Sequence, residues 1–239
     1  MYKEPFLTGK RETDPFDVER IFQAVEKTYE EDGLDPETLR LFMLHNRQVL
    51  DFVRQIGAGE KFDEREQEIS ELAAALHDFM KGRVPFEEHG DAGGLEAEKI
   101  LQAMGRSSEL ARSVRLAIER HMGNSGFVGE RAKAKYGEDF RYPEPATRVG
   151  ECVYEADMLT ILTDGGVEKL LHLRSTVPEL MREDEVYAEQ HQVTPEDARF
   201  SSVKGSVLNS LAVMKLESSI HIAKALVSKL NERYPKLNL

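Results

Sequence analysis

The chain has 239 residues and carries 44 Asp or Glu against 32 Lys or Arg, a formal net charge of −12. That balance excludes a protein that coats nucleic acid or an anionic membrane through charge alone, and no stretch approaches the roughly 20 apolar residues that span a bilayer. The one cysteine, Cys152, excludes an intramolecular disulfide and a cysteine-rich zinc site, so any metal must rely on His and carboxylates. The start, Met1-Tyr2-Lys3-Glu4-Pro5, has no apolar signal core behind it, and the expected location is the cytoplasm.

Gly and Pro collect at 32–36, 82–94 and 123–145, and between them the apolar spacing is helical. An N-terminal helix is expected first. Asp35-Pro36 then predicts a helix start, because Asp caps well and Pro suits the first turn. Its stripe is Leu41, Val49, Phe52 and Ile56, ending at Gly57. The next helix carries Ile69, Leu72, Ala73, Leu76 and Met80 and is expected to run to Gly82. A third carries Leu95, Ile100 and Leu101, a fourth Leu110, Val114 and Ile118, and a fifth runs from about 145 to 162. The stretch 123–145 is long for a helix connection. It is expected to hold a short helix near 130–136 with Arg131, Lys133, Lys135 and Arg141 on or after it. The remainder reads as two or three helices, the last unbroken from about Val203 to Leu230. No segment alternates as a strand does, and the fold class is all-α. The expected division is a core at 1–165 and a helical C-terminal extension at 166–239.

Four polar residues sit in apolar stripes. His45 lies midway between Leu41 and Val49, His77 follows Ala73 by one turn, His121 continues Val114 and Ile118, and Asp157 follows Val153. Burying such a group without a partner costs several kcal/mol, and a lone carboxylate more. One histidine of this kind is ordinarily a hydrogen-bonded core residue; four groups on four helices are satisfied together by converging on a metal ion. His172, His191 and His221 lack such a setting and read as structural or surface residues.

His45, then His77-Asp78, then Asp157 resembles the signature of the HD-domain metal-dependent phosphohydrolases. The resemblance extends to Lys81, to His89-Gly90-Asp91-Ala92-Gly93-Gly94, to Glu119-Arg120-His121-Met122-Gly123 and to Glu155-Ala156-Asp157. It departs from the family at Phe79-Met80, where Ile-Gly or Ile-Ala is usual, and His89 falls on a glycine-rich stretch read as a loop. The resemblance implies an HD-domain helical bundle. It implies a first ion held by His45, His77, Asp78 and Asp157, and a second completed by His89 and His121, with Asp78 bridging. A mononuclear site is the other reading. The ions are one or two divalent metals, among Fe, Mn, Ni, Co, Zn and Mg.

The implied activity is hydrolysis of a phosphoester or phosphoanhydride, with a small phosphorylated substrate, expected to be a nucleotide. Asp78 and Lys81 would carry the catalysis, and Lys81, Arg83, Arg120, Lys133 and Lys135 would contact phosphate. The alternatives are a di-iron oxygenase on the same ligands, a nucleotide-sensing module without turnover, and a metal-free helical interaction protein. The apolar face of the last helix allows a homodimer.

Overall fold

The structure is a computed structural model and describes residues 18–122 and 126–239. Eleven α-helices form among these residues, with no strand. They are α1 (Val18–Glu31), α2 (Pro36–Gly59), α3 (Glu64–Leu76), α4 (His89–Ala103), α5 (Ser108–Glu119), α6 (Gly126–Tyr136), α7 (Arg148–Ile161), α8 (Asp164–Thr176), α9 (Pro178–His191), α10 (Pro195–Ala212) and α11 (Glu217–Arg233). The chain divides into two compact units, 1–156 and 157–239. The first also holds a 3₁₀ turn at Phe86–Glu88.

The helix starts follow capping chemistry. The Asp35 carboxylate accepts from the Glu37 and Thr38 amides at 3.2 and 3.0 Å, with Pro36 in the first turn. Asp63 and Glu66 form a reciprocal capping box at the head of α3. In the first unit α3 is the central element, and α1, α2, α4 and α5 all pack on it. Its run Leu72-Ala73-Ala74-Ala75-Leu76 is completely buried. Each leucine there contributes about 1.5–3 kcal/mol of burial, while the alanines let the neighbouring helices approach.

Two expectations about helix limits are corrected. The helix bearing Leu72 and Leu76 stops at Leu76 rather than running to Gly82, and residues 77–80 form turns. No Gly or Pro marks that stop. The chain reverses only at Gly82, where φ is +81°, a value that suits glycine. The glycine-rich stretch after His89 is not a loop, because His89 opens α4 and Gly90, Gly93 and Gly94 lie within it. These glycines serve close packing. A Cβ on Gly93 would lie 3.2 Å from the His77 carbonyl oxygen, and one on Gly94 would lie 2.9 Å from the Arg115 carbonyl oxygen on α5.

The stretch 126–142 packs on the 3₁₀ turn. α6 contacts it, Met122, Ala132 and Tyr142 form a small buried cluster with Phe140 against it, and Tyr142 Oη donates to the Glu87 carbonyl at 2.7 Å. The start of α7 is fixed in the first unit by Arg148. Its Nε donates to Glu66 at 2.6 Å, and its guanidinium lies 4.7 Å from the Phe62 ring centre.

The second unit packs α8, α9 and α10 against one another, burying Val167, Ala188, Ala198, Val203 and Val207. Its centre is polar. Asp184 is 1% exposed and accepts from Arg174 Nε and Nη2 at 2.9 and 2.7 Å and from Ser202 Oγ at 3.2 Å. The expected unbroken helix over 203–230 is corrected to two, α10 and α11. Leu216 is extended at the head of α11, with φ −70° and ψ 136°. Neither Gly nor Pro occupies 213–216, so no breaker in the sequence marks the division. The segment after α7 therefore holds four helices, not two or three.

Candidate metal centre

Asp78 sits at the middle of the site, 2% exposed, in the turn that leaves α3. Its two oxygens face different partners. Oδ2 lies 3.4 Å from His45 Nε2 and 3.7 Å from His77 Nε2. Oδ1 lies 3.3 Å from His89 Nε2 and 4.0 Å from His121 Nε2. One carboxylate is thus shared by two histidine pairs. The Nε2 atoms are 3.3 Å apart in the His45–His77 pair and 3.2 Å apart in the His89–His121 pair.

Three of these histidines are oriented by one local device. His77 Nδ1 donates to the Ala74 carbonyl at 2.9 Å, His89 Nδ1 to that of Phe86, and His121 Nδ1 to that of Ile118. Each partner lies three residues upstream, at the end of a helical turn. His77 follows α3, His121 follows α5, and His89 follows the 3₁₀ turn. A carbonyl can only accept, so Nδ1 carries a proton in each of the three, and whenever the ring is neutral its lone pair lies at Nε2.

In their neutral forms His77, His89 and His121 therefore turn lone pairs toward neighbouring imidazoles and toward a carboxylate. In the second pair, two lone-pair nitrogens at 3.2 Å repel unless a proton or a cation lies between them. This donor set fits a divalent metal: neutral imidazoles whose other nitrogen is bonded to protein, with a hard carboxylate between. Asp78, His89 and His121 offer ligand atoms within 4.8 Å of one another.

Burial pushes the Asp78 carboxyl up, but the Lys81 ammonium, His77 and the contacts with His45 and His89 outweigh it. The carboxyl is held well below the usual carboxylate range. Lys81 Nζ donates to Asp78 Oδ2 at 2.6 Å. The route differs from the one the spacing suggests, since Lys81 lies beyond the end of α3 and not on a helix face shared with His77. The turn itself folds it back, with the Lys81 amide donating to the Asp78 carbonyl at 2.8 Å. The Lys81 ammonium also lies 6.0 and 5.8 Å from the Phe42 and Phe86 ring centres.

The remaining sequence candidates lie as follows. Asp157 is half-buried on α7, one turn after Val153, and is the first residue of the second unit. Arg83 Nε donates to Asp32 at 2.6 Å and Nη1 to the Phe79 carbonyl at 2.9 Å. Arg120 donates to the Glu144 carbonyl at 3.1 Å. Lys135 on α6 pairs with Glu87 at 3.0 Å and Glu88 at 2.6 Å, and these hydrogen bonds raise its pKa. Lys133 is half-buried on the same helix. The Arg131 side chain lies outside the described residues. His172, His191 and His221 are exposed.

Sequence reasoning did not single out Tyr29. Its ring is 2% exposed, and its hydroxyl donates to the Asp78 carbonyl at 2.7 Å from 49 residues away. In the sequence Tyr29 is one more residue of an amphipathic helix, and nothing local signals so distant a partner.

A helical bundle that gathers four histidines, three at helix ends and His45 within α2, around a buried aspartate fits a metal-ligand scaffold. The HD domain profile matches residues 43–162, half of the chain, and the chain belongs to the HD domain family. That family is typified by metal-dependent phosphohydrolases. No curated protein and no solved structure matches the chain. No helix among the described residues is long and apolar enough to cross a membrane.

Proposed function

We propose that the chain is a metal-dependent phosphohydrolase that cleaves a phosphoester or phosphoanhydride bond of a small substrate, a nucleotide in the first instance. The observation that carries this reading is the division of the Asp78 carboxylate between two histidine pairs, Oδ2 toward His45 and His77 and Oδ1 toward His89 and His121. It supports two ions with Asp78 bridging. His45, His77 and Asp157 would complete the first set and His89 with His121 the second. A divalent ion bound there lowers the pKa of water from ~15.7 toward ~7 and offsets charge on phosphoryl oxygens.

The chain's own residues do the rest. The carbonyls of Ala74, Phe86 and Ile118 hold three imidazoles in the Nδ1-protonated form. The Lys81 ammonium stands beside the Asp78 carboxylate, placed to meet a phosphoryl oxygen as negative charge grows on it. Lys81, beside the Asp78 carboxylate, would be the first phosphate contact, while Arg83, Arg120 and Lys135 also hold protein partners. Lys133 and Lys135 are the next, on α6.

The test is phosphate release from a panel of nucleotides and simple phosphoesters with Mn²⁺, Fe²⁺, Co²⁺, Ni²⁺ or Mg²⁺. We expect turnover with at least one metal, falling by 10³-fold or more in His77→Ala/Asp78→Ala. Activity that survives the double substitution contradicts the reading. Aerobic iron loading with no phosphate release on any substrate replaces hydrolysis by oxygen chemistry on the same ligands. Tight nucleotide binding without turnover replaces it by sensing. Lys133→Ala with Lys135→Ala should raise KM; an unchanged KM removes α6 from the phosphate contacts.

A further inference from the structure

We infer that Tyr29 is a positioning residue for the metal centre and that α1, which lies outside the residues matched by the HD domain profile, braces the turn that carries Asp78 and Lys81. The inference rests on the reading of Asp78 as a ligand.

The turn 77–83 has no helix of its own to hold it, because α3 ends at Leu76. Contacts of Tyr29 and Arg83 supply the support. Tyr29 Oη donates to the Asp78 carbonyl at 2.7 Å, in a fully buried bond. The Arg83 guanidinium lies 4.5 Å from the Tyr29 ring centre and 4.4 Å from that of Phe79. Arg83 Nη1 donates to the Phe79 carbonyl, and Arg83 Nε to Asp32, which directly follows α1. The Tyr29 ring itself packs against Phe42 and Phe79 at 5.8 and 6.1 Å between centres. A phenol from α1 thus holds the peptide of the bridging aspartate, and an arginine links the far side of the same turn back to α1.

A buried carbonyl fixed in this way sets where the Asp78 Cα–Cβ bond points, and with it which histidine pair each carboxylate oxygen faces. Groups that orient ligands commonly change metal affinity 10–100-fold when removed. Arg83, read from the sequence as a phosphate contact, acts here as part of the brace.

The experiment uses the full chain and Co²⁺ as probe. Tyr29→Phe keeps the ring and removes only the hydroxyl. Val25→Ala, also buried on α1, is the packing control. Co²⁺ affinity by equilibrium dialysis, the visible Co²⁺ spectrum and the apo melting temperature are read for each.

Tyr29→Phe should weaken Co²⁺ binding about tenfold and alter the Co²⁺ spectrum, while Val25→Ala lowers the melting temperature and leaves both metal readouts as in the parent chain. Asp32→Asn tests the exposed end of the brace and should weaken binding two- to fivefold. Co²⁺ affinities in Tyr29→Phe and Asp32→Asn equal to that of the parent chain overturn the inference, as does an equal loss in Val25→Ala. Asp78→Asn separates this failure from failure of the metal reading: Co²⁺ binding unchanged in that variant removes Asp78 as a ligand and with it the basis for any brace.

Discussion

Asp78 in the first unit and Asp184 in the second are both aspartates buried to within a few per cent, yet their surroundings oppose each other. Asp184 is met by donors: the Arg174 fork, the Ser202 hydroxyl, and Arg199 Nε at 3.9 Å. Its charge is answered by protein and it joins α8, α9 and α10. Asp78 is met by one ammonium and by four imidazole Nε2 atoms, three of them on rings whose Nδ1 is bonded to a backbone carbonyl. That donor set is of the kind a divalent metal ion takes. Burial of a carboxylate is therefore no guide to function, and the direction of the hydrogens around it is.

The largest test of that contrast is Arg174→Ala. It strands a buried carboxylate and should cost about 3–5 kcal/mol of unfolding free energy, read by chemical denaturation, with Co²⁺ affinity unchanged. Metal removal does the reverse. Co²⁺ at 100 times its Kd should stabilise the parent chain by about 2.7 kcal/mol, and His77→Ala/Asp78→Ala should lose that gain while Arg174→Ala keeps it.

A smaller effect is expected at Gly94, where a methyl group would lie 2.7 Å from Glu119 Cγ and 2.9 Å from the Arg115 carbonyl oxygen. Gly94→Ala should cost about 1–3 kcal/mol, measured as thermal stability of the apo chain. The smallest appears only in acid. The folded pKa of Asp78 lies below its unfolded value of ~3.9. Its contribution is therefore present above that value and lost as pH falls through the folded pKa. The apo chain should lose stability below about pH 4, and Asp78→Asn should lose less over the same range in a pH series of melting curves.

Much of this contrast was legible before the structure. The helical class follows from apolar spacing, and His45, His77 and His121 stand out because each occupies an apolar stripe. Lys81 was singled out through the family resemblance, and it reaches Asp78 because a turn beyond the end of α3 folds back. The stop after Leu76 was hidden because an alanine run ending in Leu carries no breaker. The glycines of α4 read as a loop because the sequence shows their flexibility and not the neighbouring helix that needs their missing side chains. The break at 213–216 has no Gly or Pro to mark it, and the Tyr29 bond to Asp78 joins residues 49 apart in the chain.

The central claim is that the groups around Asp78 are metal ligands, and metal content tests it most directly. Chain loaded with Mn²⁺ or Co²⁺, freed of excess ion and analysed by mass spectrometry should hold two ions, and His77→Ala/Asp78→Ala should hold none. An unloaded parent chain after the same treatment, or a double variant that keeps both ions, would contradict the account.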